Sequence, residues 1–285
     1  MLYDNTGYWQ KIHQDYGGQL RTVGWPSLSE AFNELKYQSE AASLQKVMGD
    51  VLSSFPERQS LSYLDIGAGT GFWTALIYQW LTEHGFSAEV TALDISPPAL
   101  EGLQQRYPWV NPVLADLKSI SPQHFAAKYD LVTAVYCLHH LVQSAAFING
   151  LRFAANSVKQ DGYLIIIDPI LTLPYSTFDV IDFATYQGNG ICRHLYYLDD
   201  LVFAEGLRCV HFVPAVSFVL NGNIQAYTKI QYDLHRWIWS ILAMFYRSER
   251  ATQRLARWVR SMDSYLKKHN QAFSGSIAVY QKGGK

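Results

Sequence analysis

Three acids and three glycines stand out in this chain as residues whose types and spacing could do chemistry. Asp65 closes the apolar run Tyr63-Leu64-Asp65-Ile66, Gly67-Ala68-Gly69-Thr70-Gly71 follows, and an apolar pattern of helix length begins at Phe72. Glycines at these steps let the backbone turn through positive φ and leave no Cβ between the loop and a ligand. A helix starting near Gly71 adds free N–H groups and a positive dipole end, which suit a carboxylate or a phosphate. The ligand is therefore a nucleotide or a nucleoside bearing an amino acid. The dinucleotide fingerprint is G-x-G-x-x-G, whereas this loop reads G-x-G-x-G with an acid two residues ahead of it. Asp94 ends the next apolar run, where a carboxylate can accept both hydroxyls of a ribose, and Asp116 ends the one after it, suited to the exocyclic amine of adenine.

A second group could move protons. His139 and His140 follow the apolar run from Tyr129, and imidazole titrates near neutral pH. Asp168, ahead of Pro169, is a further acid–base candidate, with capping of a loop as its structural alternative. Three cysteines, Cys137, Cys192 and Cys209, show no C-x-x-C spacing, so neither a disulfide framework nor a metal site is expected.

These residues need a scaffold that brings strand ends together. Strands are predicted at 61–66, 89–94, 112–116, 129–136 and 163–168, and helices at 72–84, 97–107, near 122–127 and at 143–158. That alternation is the rhythm of a parallel sheet covered on both faces, and its ligands sit at the carboxyl ends of the strands near the switch point. The expectation is an α/β, Rossmann-like, seven-stranded, mostly parallel sheet sandwiched by helices. An N-terminal helical cap (1–59) precedes the core (60–220 and 274–285), and a helical insertion (221–273) separates strands six and seven.

The motifs now in hand are Leu64-Asp65-Ile66-Gly67-Ala68-Gly69-Thr70-Gly71, Leu93-Asp94-Ile95-Ser96, Ala115-Asp116-Leu117, Tyr129 through Leu141, and Lys159 through Leu164. In this order they resemble the class I S-adenosylmethionine-dependent methyltransferases, over roughly residues 60 to 220 plus the last ten. The resemblance implies S-adenosylmethionine as cofactor and S-adenosylhomocysteine as product. Asp65, Gly67, Ala68, Gly69 and Gly71 would hold the methionine portion, Asp94 and Ile95 the ribose, and Asp116 and Leu117 the adenine. Tyr136 and His140 would lie beside the sulfonium. His139, His140 and Asp168 are the candidate bases for an acceptor that must lose a proton. The Asn-Pro-Pro-Tyr motif of enzymes acting on exocyclic nitrogens is absent from the sequence.

The flanking segments suggest what encloses the acceptor. Aromatics crowd the N-terminus, and Tyr8 and Tyr16 are candidate pocket residues; Tyr175 and Tyr186 are two more, on a long connection after the fifth strand. Ser27-Leu28-Ser29-Glu30 reads as a capping box. The insertion has one helix around Trp237–Tyr246 that is apolar on nearly every side and should need burial all round, as a lid or as a homodimer contact. Its second helix carries Arg247, Arg250, Arg254, Arg257 and Arg260 at steps of three and four, either a solvated face or a dock for an acidic partner.

Composition narrows the rest. At 285 residues, 49% hydrophobic and a formal charge of -1, the chain can bury a large core and has no overall pull toward nucleic acid. No apolar stretch approaches a membrane span of about 18 residues, and neither a basic leader nor paired cysteines point to secretion, so the cytoplasm is the expected compartment. A small, apolar or aromatic acceptor is the favoured reading. The alternatives are a protein or carrier-tethered acceptor docked by the arginines, and a nucleotide-binding protein that is not a methyltransferase.

Overall fold

The apolar runs become strands, and the glycine-bounded amphipathic stretches become the helices that cover them. The computed structural model describes residues 4–55, 60–176, 189–269 and 273–283. Along the chain these are α1 (Asn5–Tyr16), α2 (Glu30–Ser53), β1 (Ser60–Ile66), α3 (Phe72–Glu83), β2 (Ser87–Asp94), α4 (Pro97–Arg106), β3 (Val110–Leu114) and β4 (Tyr129–Val135). There follow α5 (Ser144–Ser157), β5 (Val158–Asp168), β6 (Tyr175–Ser176), α6 (Leu195–Ala204), β7 (Leu207–Ser217), β8 (Gln225–Ala226), α7 (Lys229–Tyr246), α8 (Glu249–Lys268) and β9 (Phe273–Lys282).

Seven strands form one sheet in the order β3-β2-β1-β4-β5-β9-β7, with β9 antiparallel to both neighbours and the rest parallel. Chain order reverses between β1 and β4, so the crevice for a ligand opens at their carboxyl ends. The central strands read as continuous apolar runs because both faces are covered: Leu164, Ile165, Ile166 and Ile167 are all fully buried. Leu44, Met48 and Val51 of α2 pack with Trp73 and Ile77 of α3 on one face. Phe147, Leu151 and Phe153 of α5 pack with Leu198 of α6 on the other.

Three local expectations are corrected. Residues 122–127 form successive i→i+3 turns rather than a helix. The capping box does not form: the N-cap of α2 is Ser29, whose hydroxyl accepts Phe32 N–H, while Glu30 turns away to accept Leu20 N–H and Arg21 N–H at 2.6 and 3.0 Å. The first helix of the insertion is not buried all round. On α7, His235, Leu242 and Tyr246 face inward, while Ile230, Leu234, Trp237 and Met244 are exposed, because α8 and the segment after β7 cover one side only. Among the described residues, no helix is long and apolar enough to cross a membrane.

The insertion is fastened to the core by one buried carboxylate. Asp263 of α8 is 1% exposed; it accepts Ser217 N–H at 2.7 Å, pairs with Lys267 at 2.8 Å and accepts the Ser39 hydroxyl of α2. The side chain of Gln225 does a similar job for the connection after β5, accepting Thr172 N–H at 2.8 Å and donating to Ile170 O at 2.6 Å. Removing the Asp263 carboxylate would leave the buried Ser217 N–H unpaired and take from Lys267 its charge partner, while Lys267 keeps its hydrogen bonds to Ser39, Ser43 and Ala215 O. Asp263→Ala is expected to cost about 2 to 4 kcal/mol in urea unfolding; a loss under about 1 kcal/mol would mean that the other ties of α8, such as Glu249 to the Glu30 and Ala31 N–H groups, hold it without Asp263.

Candidate active site

The site begins with backbone geometry at the end of β1. Gly67 N–H and Ala68 N–H both donate to Leu93 O, at 2.7 and 3.1 Å, which folds the glycine loop across the tip of β2. Gly67 and Gly69 lie at φ 70° and 51°, the left-handed region that favours glycine. A Cβ on Gly67 would sit 2.4 Å from Cys137 Cβ, and one on Gly69 would sit 2.7 Å from Val23 Cγ1. Asp94 locks the arrangement by accepting Gly69 N–H and Ser96 N–H, both at 2.8 Å.

A cavity opens over this loop, with about 770 Å³ of empty space counting the solvent at its mouth. The structure brings together on its wall Gly67, Ala68 and Gly69, Asp94 and Ile95 from the end of β2, Asp116 and Leu117 after β3, and Tyr136 and His140 after β4. His13 and Trp9 of α1 close it from outside. His13 is 6% exposed; burial pushes its imidazole down and the Asp94 carboxyl up, each partly offset by the other's charge.

Two residues expected on this wall are elsewhere. Asp65 lies beneath the loop, 1% exposed, accepting the Thr74 and Thr133 hydroxyls at 2.5 and 2.7 Å, and burial pushes its carboxyl up to about 6. Gly71 is the N-cap of α3, and a Cβ there would meet Leu103 and Tyr107 at 3.1 Å. Its bareness therefore serves packing against α4.

A second cavity, with about 860 Å³ of empty space, adjoins the first and shares Trp9, Val23, Tyr136 and His140 with it. Here the proton-moving candidates separate into different roles. His139 Nδ1 lies 2.7 Å from Asp168 Oδ1, and His139 N–H donates to Asp168 Oδ2 at 3.2 Å. His140 Nδ1 instead meets the Asn189 carbonyl, and its ring packs edge-on to Trp9 with centroids 4.8 Å apart. Burial pushes the His139 imidazole down, with the charges of Arg193 and Lys36 adding to that, while burial pushes the Asp168 carboxyl up to about 7. With the proton between them on His139 Nδ1, Nε2 is left as an acceptor along the Gly190 side of the second cavity.

Of the aromatics expected around an acceptor, Tyr8 lines the second cavity. Tyr16 and Tyr175 line neither cavity: the Tyr16 ring lies under the Arg21 guanidinium at 4.8 Å, and Tyr175 pairs with Ala226 in the β6–β8 ribbon, 40% exposed. Tyr186 lies outside the described residues. Among the described residues, no three His, Cys, Asp or Glu side chains are grouped to hold a metal ion.

Sequence reasoning missed a buried polar cluster on the second cavity. Lys36 and Glu40 of α2 are 3% and 0% exposed and 2.7 Å apart; Tyr136 Oη donates to the same Glu40 oxygen at 2.5 Å. Tyr136 is held at φ 50°, a strained value for a residue with a side chain. The signal was available: Phe32, Lys36, Glu40 and Leu44 recur every four residues, so two charges occupy core-facing positions of a helix. Asn221, on the loop after β7, left no such trace.

A family model described as "Methyltransferase domain" matches residues 37–208. A malonyl-[acyl-carrier protein] O-methyltransferase of Acetivibrio thermocellus is 30% identical over 146 residues, 50% of this chain and 47% of that protein. A 5-methylorsellinic acid synthase of Aspergillus terreus is 25% identical over 131 residues, 43% of this chain and 5% of that protein. The chain thus matches half or less of the length of these relatives. Among solved structures, a Haemonchus contortus phosphoethanolamine N-methyltransferase 2, in complex with phosphomonomethylethanolamine and S-adenosylhomocysteine, shares the fold with a TM-score of 0.53 and 14% identity, covering 97% of this chain and 60% of that one.

The loop geometry predicts that Gly67→Ala is costly. A side chain would pay the left-handed backbone penalty and overlap Cys137, together at least about 2 kcal/mol. Thermal unfolding of the variant checks this, and a midpoint equal to the parent's would show that the turn is placed wrongly.

Proposed function

The chain belongs to the methyltransferase domain family, and from that premise we propose that it methylates, from S-adenosylmethionine, a small acyl or aromatic acceptor whose reacting C–H or O–H must first lose a proton. The observation that carries this reading is the His139–Asp168 pair, 2.7 Å apart, with His139 on the cavity beside the glycine-loop cavity and Asp168 behind it. An amine acceptor that reaches the site with its lone pair free has no need of a buried base; a carbon or oxygen acid does.

The cofactor fits the residues present. The left-handed turn at Gly67 and Gly69 lays the loop along the cavity wall, Asp94 offers a buried carboxylate for two hydroxyls, and Asp116 with Leu117 offers an acceptor beside an apolar wall. When bound, S-adenosylmethionine supplies a methyl group already activated on a cationic sulfur and leaves as the neutral thioether. The protein's own work is to hold the acceptor in line and to take its proton. Asp168 is the positioning residue: it fixes the His139 tautomer and then faces the imidazolium as His139 Nε2 takes the proton, and the freed electron pair of the acceptor forms the new bond to the methyl carbon. Tyr136 and His140, on the wall common to both cavities, set where the two ligands meet.

A second reading concerns how the acceptor arrives. The relative from Acetivibrio acts, by its name, on malonyl-[acyl-carrier protein], and Arg250, Arg254 and Arg257 are exposed on α8 here. A carrier-borne acyl group is the form of acceptor that those two observations favour.

Two measurements test the proposal. Asp94→Ala is expected to weaken S-adenosylhomocysteine about 10- to 100-fold by calorimetry, the loss of charge-assisted hydrogen bonds; unchanged affinity would remove Asp94 from the cofactor site. His139→Gln is expected to lower kcat about 10²- to 10⁴-fold with cofactor affinity nearly unchanged. Burial lowers the His139 pKa, so the imidazole stays in its base form as pH falls, whereas the Asp168 carboxyl, raised to about 7, takes up a proton; kcat/KM should therefore fall below neutral pH with the Asp168 carboxylate. A profile that stays flat well below about pH 7 would remove that carboxylate from the mechanism.

A further inference from the structure

The second cavity contains two buried hydrogen-bond donors that the proton transfer does not use. Lys36 is 3% exposed, and its ammonium lies 2.7 Å from Glu40 and 4.0 Å above the Tyr136 ring; among the described residues Glu40 is its hydrogen-bonding partner. Asn221 is 1% exposed; its Oδ1 accepts Asn223 N–H at 3.3 Å, while its Nδ2 is buried without a partner. Both side chains line the cavity that His139 lines. Tyr136 stands between them: the Lys36 ammonium lies over its ring, and a Cβ built on Gly275 would lie 2.5 Å from Tyr136 Oη and 3.6 Å from Asn221 Nδ2.

An amide N–H₂ left unpaired in a cavity wall is costly unless a ligand satisfies it, and a buried ammonium strengthens any anion it faces because little water screens the pair. We propose that Lys36 and Asn221 form the binding site for the acceptor oxygen that becomes negatively charged when His139 removes the proton. This rests on the reading of His139 as base. Proton and charge balance: the proton moves to His139 Nε2, the negative charge it leaves spreads onto the acceptor oxygen, and that oxygen takes hydrogen bonds from the Lys36 ammonium and the Asn221 amide. Burial pushes the Lys36 ammonium down and the charge of Glu40 partly offsets this; Glu40 also holds the ammonium in place, and Tyr136 fixes Glu40. The site selects acceptors whose reacting atom is an oxygen or is conjugated to one, and it disfavours neutral amines, which bring no anion to stabilise.

The test uses binding rather than turnover. The full chain loaded with S-adenosylhomocysteine is titrated at neutral pH with 4-nitrophenol, whose anion absorbs in the visible, and with 4-nitroanisole, which cannot ionise. The parent is expected to bind the phenolate preferentially and to shift its titration toward the anion. Asn221→Leu removes the amide donor without adding a charge; Asn223 N–H loses its acceptor as well, so the thermal midpoint of this variant reports folding. Lys36→Met combined with Glu40→Gln removes the charge pair without leaving either charge buried alone, and its thermal midpoint reports folding. Each variant is expected to lose about 10- to 100-fold in phenolate affinity, with 4-nitroanisole and S-adenosylhomocysteine affinities within about threefold. A parent that binds the phenolate no better than 4-nitroanisole, or folded variants that bind the phenolate as the parent does, overturn the site. The two readings separate: lost turnover in His139→Gln with parental phenolate affinity in the Lys36 and Asn221 variants overturns the oxygen site and leaves the base standing, whereas parental turnover in His139→Gln overturns the base.

Discussion

The hydrogen bond from Gly69 N–H to Asp94, 2.8 Å long and buried, joins the two halves of the ligand crevice. It ties the loop after β1 to the end of β2, and with Leu93 O accepting from Gly67 and Ala68 it leaves the loop one path. Such a path needs left-handed backbone at successive glycines, which a chain accepts at little steric cost only where no side chain is present. The Asp94 carboxylate therefore has two tasks: shaping the loop and facing the cavity. Few groups in the molecule are as constrained.

Around this joint the protein buries an unusual density of ionisable groups. Asp65, Asp94, Asp168, Lys36, Glu40, His13 and His139 are all buried or nearly so at the carboxyl edge of the sheet. Buried charges are weak sources of stability, since desolvation can exceed the attraction gained. Their value is in preorganisation: dipoles and charges already held in place need no rearrangement when a proton moves or charge develops. The surrounding apolar strands, among them the fully buried Ile165 to Ile167, supply the stability that the site does not.

The segments outside the parallel core finish the enclosure. Helix α1 brings Trp9 and His13 to the first cavity, α2 brings Lys36 to the second, and the loop after β7 brings Asn221. Helix α8 is riveted through Asp263 to β7 and α2, so the insertion braces the helix that carries Lys36. The helices of the insertion thus bear on the site through α2, while Asn221 and Asn223, at its start, line the second cavity themselves.

Much of the fold and half of the site were legible in the residues alone. Alternating apolar runs announced the strands, because parallel strands covered on both faces must be apolar throughout. The glycine spacing announced the loop, and strand-final acids at 94 and 116 announced two walls of the cavity, because the carboxyl ends of parallel strands converge at a switch point. Local sequence could not say which way a side chain turns once there. Asp65 goes under the loop to two threonine hydroxyls, Gly71 spares room for α4, and of two adjacent histidines one meets Asp168 and the other a carbonyl. Lys36, Glu40, Tyr136 and Asn221 come from three distant stretches, and only tertiary packing makes them neighbours. The reason is physical: periodicity is a property of the backbone and is written locally, whereas the partner of a buried polar group is chosen by whatever the completed fold places within about 3 Å of it.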